Sequence, residues 1–258
     1  MINVIIVPAF QDNYLWLFHR QGSDAAYAVD PGEAAPIEQA LRKHRLQLAG
    51  ILITHHHADH IGGVNALLQQ RDIPVYGPLS SKIPAVSRPL ADGDLLTLDG
   101  GEISFRVLAV PGHTLEHIAY FNPDEHLLFC GDTLFAAGCG RMFEGNPVQM
   151  QNSLQKLADL PADTTVYCAH EYTLANLKFA LQVEQNNPAL LARQQEAQRL
   201  RAANQPTVPS RLSLELATNP FLRVTQRAVI EAASAYNGRP VDSPAEVFAA
   251  LRRWKDNF

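Results

Sequence analysis

Residues 54–60 read Thr-His-His-His-Ala-Asp-His, four imidazoles and one carboxylate in seven positions. The chain holds 10 histidines in 258 residues, so this density is not a chance enrichment, and the interior position and interleaved aspartate exclude an expression tag. A neutral imidazole offers one lone-pair nitrogen and a carboxylate offers two oxygens, which makes the cluster a natural cation-binding set. If the chain stays extended, His55, His57 and Asp59 point one way while His56 and Ala58 point the other. His55 and His57 can then grip one cation from one side. Asp59 and His60 are adjacent and must diverge as a following helix starts, which suggests a second centre.

Further candidates stand downstream: His113 after "VLAVPG", Asp132 after "LLFCG" and His170 after "TVYCA". Each follows an apolar run and opens a loop, the usual place for functional groups on a rigid frame. Taken singly, a histidine there is ordinarily structural and an aspartate after glycine is ordinarily a turn former. Together with the cluster they make seven ligand candidates. One catalytic zinc takes about three protein ligands, so seven point to two metals. Asp132, with two oxygens, is the natural bridge. Nitrogen and carboxylate donors without thiolate suit zinc, with iron or manganese also compatible.

These residues need strands to deliver them. "INVIIV", "NYLWLF" and "AAYAVD" are short apolar runs bounded by turn residues, as in a strand meander. "LAGILIT" is a buried-strand candidate that leads into the histidine cluster. "IPVYGP", "EISFRVLAV", "HIAYFNP", "HLLFCGD" and "TTVYCAH" continue the series. "EAAPIEQALRKHRL" has helical character, and "HIGGVNALLQQR" has helical spacing at Ile61, Val64, Leu67 and Leu68. Beyond His170 the texture turns helical, with segments split near Asn186-Asn187-Pro188. A last helix is signalled by Ser243 as N-cap, Pro244 at N1 and Glu246 completing a capping box. Two domains are expected, residues 1–170 and 171–258.

Apolar residues make up 47% and charged residues 18%, as in a globular protein with a sizeable core. A formal net charge of -5 argues against a nucleic-acid partner. Cys130, Cys139 and Cys168 are odd in number and widely spaced, so reduced buried thiols are expected rather than a disulfide framework. The start "MINVIIVPAF" lacks a basic n-region and reads as a strand rather than a signal peptide. No stretch approaches the ~20 apolar residues of a membrane span. A cytoplasmic monomer with no nucleic-acid and no membrane partner is expected.

"THHHADH" matches the HxHxDH pattern of the metallo-β-lactamase superfamily, and "PGHT", "GDTLF" and "AHEYT" match its later ligand motifs in order. "FCGDTLFAAGCGRMFEG", "CAHEYTLANLKFA", "NPFLR" and the terminal "LRRWKDNF" resemble glyoxalase II, the hydroxyacylglutathione hydrolase family, from "PAFQDNY" to the last residue. The resemblance implies an α+β fold, a four-layer αβ/βα sandwich followed by a helical C-terminal domain that binds substrate. It implies one metal on His55, His57 and His113, another on Asp59, His60 and His170, and Asp132 bridging them. His56 is not a ligand in this pattern. It also implies glutathione contacts from Arg141, Tyr172, Arg252 and Lys255. Phe143 stands where some family members carry a tyrosine that contacts glutathione, so that hydroxyl is lost here.

Arg252 and Lys255, three apart, share a helix face. Two cations there repel unless an anion sits between them; read without the resemblance, they more simply complement the negative end of a terminal helix. Phe248, Leu251 and Trp254 are expected to pack that helix. The activity implied is thioester hydrolysis of S-D-lactoylglutathione to D-lactate and glutathione, in methylglyoxal detoxification, with Asp59 and Asp132 as the catalytic carboxylates. The alternatives are another superfamily enzyme, such as a β-lactamase, a tRNA-processing phosphodiesterase or a mononuclear-iron persulfide dioxygenase, or a non-catalytic metal-dependent binding module.

Overall fold

The three opening apolar runs form adjacent strands: β1 (Ile2–Ala9), β2 (Asn13–Arg20) and β3 (Ala25–Val29). β1 pairs antiparallel with β2, placing Ile5 opposite Leu17, and β2 pairs antiparallel with β3. Helix α1 (Ala34–His44) then carries the chain back so that β4 (Gln47–Leu52) lies parallel to β3. The helix stops at Arg45, whose left-handed backbone closes the C-terminus, with Arg42, Lys43 and His44 against the negative end of the helix dipole. Short helices α2 (Ala58–Ile61) and α3 (Val64–Leu68) lead on to β5 (Val75–Pro78) and β6 (Arg88–Leu90), which complete a sheet ordered β1-β2-β3-β4-β5-β6.

The computed structural model describes residues 1–258. They form two compact units, one of Met1–Ala109 with Glu116–Gly131 and one of Val110–Leu115 with Asp132–Phe258. In the first unit, Ile37 and Leu41 of α1 and Val64 and Leu67 of α3 bury themselves with Leu17, Ala28 and Ile51 of the sheet. Each such Val, Leu or Ile side chain contributes about 1.5–3 kcal/mol. The sheet's other face meets a second, antiparallel run of β7 (Leu95–Leu98), β8 (Ile103–Ala109), β9 (Ile118–Asn122) and β10 (Leu127–Gly131). Phe18 fills that seam, 5.3 Å from Phe105 and 5.4 Å from Phe129 between ring centroids. The Tyr120 hydroxyl reaches across it to the Ile53 carbonyl at 2.8 Å.

The helical spacing seen across residues 61–68 is realised as two helices, not one. Gly62 and Gly63 fall between them, and a Cβ on Gly63 would lie 2.5 Å from the Ala34 nitrogen and 2.6 Å from the Pro31 carbonyl. This close backbone approach leaves no room for a side chain at residue 63.

The second unit holds the hairpin β11 (Leu134–Phe135) and β12 (Gly138–Cys139), helix α4 (Pro147–Ala158), and β13 (Thr165–Cys168). Helices α5 (Thr173–Val183) and α6 (Pro188–Ala202) follow, then β14 (Ser210–Arg211), antiparallel to β13, and α7 (Leu212–Thr218), α8 (Arg227–Asn237) and α9 (Pro244–Asp256). The split between α5 and α6 falls at the anticipated place, with Asn187 capping the two nitrogens after Pro188. Helix α4 was not anticipated, although its start carries a full capping box: Asn146 accepts from the Gln149 nitrogen and Gln149 accepts from the Asn146 nitrogen, each at 3.0 Å. At α9 Ser243 accepts from the Glu246 nitrogen at 3.3 Å, and the Glu246 carboxylate turns back to Ser243, taking its hydroxyl proton at 2.9 Å. Phe248 and Leu251 are fully buried and Trp254 stacks on Tyr236, so these three do pack the helix.

Candidate metal ligands and substrate pocket

In the first unit β4 ends at Leu52 and hands on Ile53, Thr54 and His55, all fully buried. His57 keeps an extended backbone and caps α2. His55 and His57 therefore converge, with His55 Nε2 and His57 Nδ1 3.1 Å apart. The expected alternation fails for Asp59, because the helix begins at Ala58 and Asp59 lies in its first turn. Its Oδ2 stands 3.6 Å from His60 Nε2 and accepts from Asn13 Nδ2 at 3.0 Å.

Asp30, which the sequence reading did not single out, governs the protonation of this half. Its Oδ1 accepts the Thr54 N–H at 2.7 Å, and its Oδ2 accepts the Thr54 hydroxyl at 2.7 Å and His60 Nδ1 at 3.0 Å. A carboxylate only accepts, so His60 carries its proton on Nδ1 and its lone pair on Nε2. The Thr54 hydroxyl proton is committed to Asp30, so that oxygen accepts from His55 Nδ1 at 3.0 Å and leaves the His55 lone pair on Nε2. One buried carboxylate thus fixes two ring tautomers, the arrangement that orients histidines for metal ligation. His117 stacks on His55 at 4.6 Å, and Gly131 leaves the room for this packing: a Cβ there would sit 2.4 Å from Thr54 Oγ1. His56 turns instead to the Glu116 carboxylate.

The second unit supplies the three later candidates. His113 follows β8 through Pro111-Gly112, and a Cβ on Gly112 would strike Met150 at 2.7 Å. His113 Nδ1 donates to the Arg141 carbonyl at 2.7 Å, which leaves its lone pair on Nε2, 3.4 Å from Asp132 Oδ2. His170 follows β13, and its Nε2 lies 3.4 Å from the same oxygen. It stacks on Tyr172 at 4.6 Å and meets the edge of Phe135. A lone pair facing a carboxylate oxygen, as at His60–Asp59 and His113–Asp132, is acceptor against acceptor. A cation reconciles such a pair and a hydrogen bond does not. The donors are nitrogen and carboxylate oxygen, while burial holds Cys139 and Cys168 as neutral thiols by pushing them up to about 11 and about 12. The set fits borderline-to-hard divalent cations.

His113 and Asp132 also line a cavity of about 370 Å³ with Phe135, Arg141, Phe143, Tyr172, Arg252 and Lys255. The four residues expected to contact glutathione are at its wall, and so is Phe143. Arg252 is 5% exposed. It donates to the Cys139 carbonyl at 3.1 Å and to Asp256 at 3.0 Å, with its guanidinium over the Phe221 ring. The anion that relieves the Arg252–Lys255 repulsion is in part the helix's own Asp256, which also lies 3.4 Å from Arg141. Lys255 donates to the Ala175 carbonyl at 3.1 Å; burial first, and then the neighbouring Arg252, bring its ammonium down to about 8. Phe143 is 62% exposed, with its ring edge-on to His113.

Comparison with known proteins bears on both parts of the chain. Residues 13–170 match the metallo-β-lactamase superfamily model, and residues 171–258 match the model of the hydroxyacylglutathione hydrolase C-terminus. The hydroxyacylglutathione hydrolase of Nitrosomonas europaea is 53% identical over 258 residues, covering all of this chain and 97% of the relative. That of Pseudomonas aeruginosa PAO1 is 54% identical over 260 residues, covering all of both. The BLEG-1 B3 metallo-β-lactamase structure is 23% identical with a TM-score of 0.64, covering 85% of this chain and 99% of that one, a likeness of fold. The fold class is the one the sequence implied, the α+β metallo-β-lactamase type with a helical C-terminal region, and the chain belongs to the hydroxyacylglutathione hydrolase family of the metallo-β-lactamase superfamily.

Proposed function

We propose that the protein hydrolyses the thioester of S-(2-hydroxyacyl)glutathione, with S-D-lactoylglutathione as substrate and D-lactate and glutathione as products. One observation carries the reading: His113 and Asp132 open onto the same cavity as Arg141 and Lys255. Hydrolytic ligands and a cationic clamp for a carboxylate-bearing thiol therefore share one wall. In this reading residues 1–170 carry the hydrolytic groups and residues 171–258 bind substrate.

In this reading His55, His57 and His113 would hold one divalent metal and Asp59, His60 and His170 a second, with Asp132 as the ligand common to both. Zinc is the expected metal, and iron and manganese suit the same donors. When bound, such a pair lowers the pKa of a water to about 7 and offsets the charge that develops on the thioester oxygen. The chain's own groups do the rest. Asp59, steered by Asn13, orients the attacking water. Arg252 and Lys255 receive the glycine carboxylate of glutathione, Arg141 and Tyr172 contact the same moiety, and Phe143 lines that cavity without a hydroxyl to offer. A thiolate leaves readily, so no general acid is demanded, and no serine or cysteine nucleophile is involved. The reading places the enzyme in the cytoplasm as a monomer acting on a small thioester. No helix is long and apolar enough to cross a membrane.

The test is release of free thiol from S-D-lactoylglutathione with and without a chelator, alongside metal analysis. Release that stops on chelation and returns with zinc, at close to two metals per chain, supports the reading. Chelator-insensitive release, or oxygen uptake at one iron per chain, overturns it.

Two predictions follow from single residues. The Lys255 ammonium is lost as pH rises through about 8, so KM is expected to rise about tenfold between pH 7 and pH 9. Lys255→Arg, which stays charged, should flatten that profile. The His56 ring nitrogen Nδ1 is taken by Glu116, so His56→Ala should keep the wild-type metal content. Loss of a metal from that variant would refute the ligand division above.

A further inference from the structure

The motif Asn219-Pro-Phe-Leu-Arg223 has no role in the chemistry above. Its first side chain, Asn219, nevertheless closes on one turn in the second unit. The turn joins β11 to β12, and Ala137 within it has a φ of +55°, uncommon for a residue with a Cβ. Four backbone groups of the turn are taken by the side chains of Asn176, Glu215 and Asn219. Asn219 Nδ2 donates to the carbonyls of Phe135 at 3.2 Å and Gly138 at 2.9 Å. Asn176 Nδ2 donates to the Ala136 carbonyl at 3.0 Å, and Glu215 Oε2 accepts the Ala137 N–H at 2.8 Å. The other Glu215 oxygen is held by Arg193 and Ser210, and Arg193 also donates to Thr218 Oγ1 at 2.6 Å. Glu215, Thr218 and Asn219 are completely buried.

A buried polar network this complete rigidifies what it touches. Here it touches the segment that builds the cavity wall. Phe135 packs on His170 and Tyr172. Cys139 presents the carbonyl that holds Arg252, and Arg141 presents the carbonyl that fixes His113. Phe221 of the same motif supports the Arg252 guanidinium from beneath at 5.2 Å.

The geometry points to Asn219, with Glu215 and Arg193 behind it, as a positioning residue for the thioester hydrolysis proposed above. It acts through the 135–141 segment on the cationic end of the pocket, so its loss weakens glutathione recognition more than the chemical step. This inference rests on the proposed function.

The test compares wild type with Asn219→Ser in the metal-loaded full chain. A serine hydroxyl can still accept the Phe221 N–H, as Asn219 Oδ1 does at 3.1 Å, but cannot span both carbonyls. KM for S-D-lactoylglutathione and the calorimetric Kd of glutathione are expected to rise together by about tenfold, with kcat changed less than about threefold. Val229→Ala, a cavity in α8, should lower Tm and leave both constants unchanged. Should Asn219→Ser fail to fold, Thr218→Val removes one Arg193 contact and should raise the same two constants about threefold. Wild-type KM and Kd in the folded variant overturn the inference while leaving the function intact. A wild type that neither cleaves the thioester nor binds glutathione overturns both.

Discussion

Asp132→Asn is expected to lower kcat/KM for the glutathione thioester by about a thousandfold or more. Asp132 is 6% exposed, and one of its oxygens lies 3.4 Å from the lone-pair nitrogen of His113 and 3.4 Å from His170 Nε2. An amide of the same shape keeps the packing and removes the charge. It also replaces one of two acceptor oxygens with a donor, and a donor cannot ligate. Metal content should fall with activity, and elemental analysis of the purified variant checks that directly. Full metal content with kcat/KM within tenfold of wild type would show that Asp132 does not bridge.

Asp30→Asn is the second large effect, and it acts one layer out. Asp30 accepts from the Thr54 nitrogen, the Thr54 hydroxyl and His60 Nδ1. An asparagine has only one acceptor oxygen, so one arm of this set meets an N–H instead. Thr54 can turn its hydroxyl, but His60 can only move its proton to Nε2, the atom that faces Asp59. The ligand nitrogen would then be blocked by its own hydrogen. Second-layer losses of this kind typically weaken metal affinity about 10–100-fold, and the broken buried bonds cost about 1–3 kcal/mol of stability. Chelator competition measures the first and denaturant titration the second. An affinity within twofold of wild type would mean that the ring tautomers are set elsewhere.

The ligand candidates were legible because an apolar run leads directly into the histidine cluster and into His113, Asp132 and His170. Asp30 stands in the same kind of place, at the end of β3, yet "VDPG" reads as a turn. Its role depends on β3 and β4 lying side by side and parallel, so that Asp30 and Thr54 meet at neighbouring strand ends. That adjacency is tertiary and leaves no trace in spacing. His117 was opaque for the same reason, since only the fold stacks it on His55. The Asp59 direction was misread because alternation assumes an extended chain and α2 begins one residue too soon. At the C-terminus the shared face of Arg252 and Lys255 was legible, and Asp256 at i+4 was there to be read as the counter-ion. Phe221, thirty-one positions from Arg252, was not.

The division of the chain into compact units has a consequence for synthesis. Val110–Leu115 belongs to the second unit although its neighbours on both sides belong to the first. Domains generally fold as units as the chain emerges, the N-terminal one first. The first unit has all its residues once Gly131 is made, so it can close around Asp30, Thr54 and His55 early. The six residues that carry His113 complete their unit only with Asp132 and the residues after it. His113 therefore gains its Arg141 anchor late, and the ribosome delivers the two tautomer locks, Asp30 and the Arg141 carbonyl, in a fixed order.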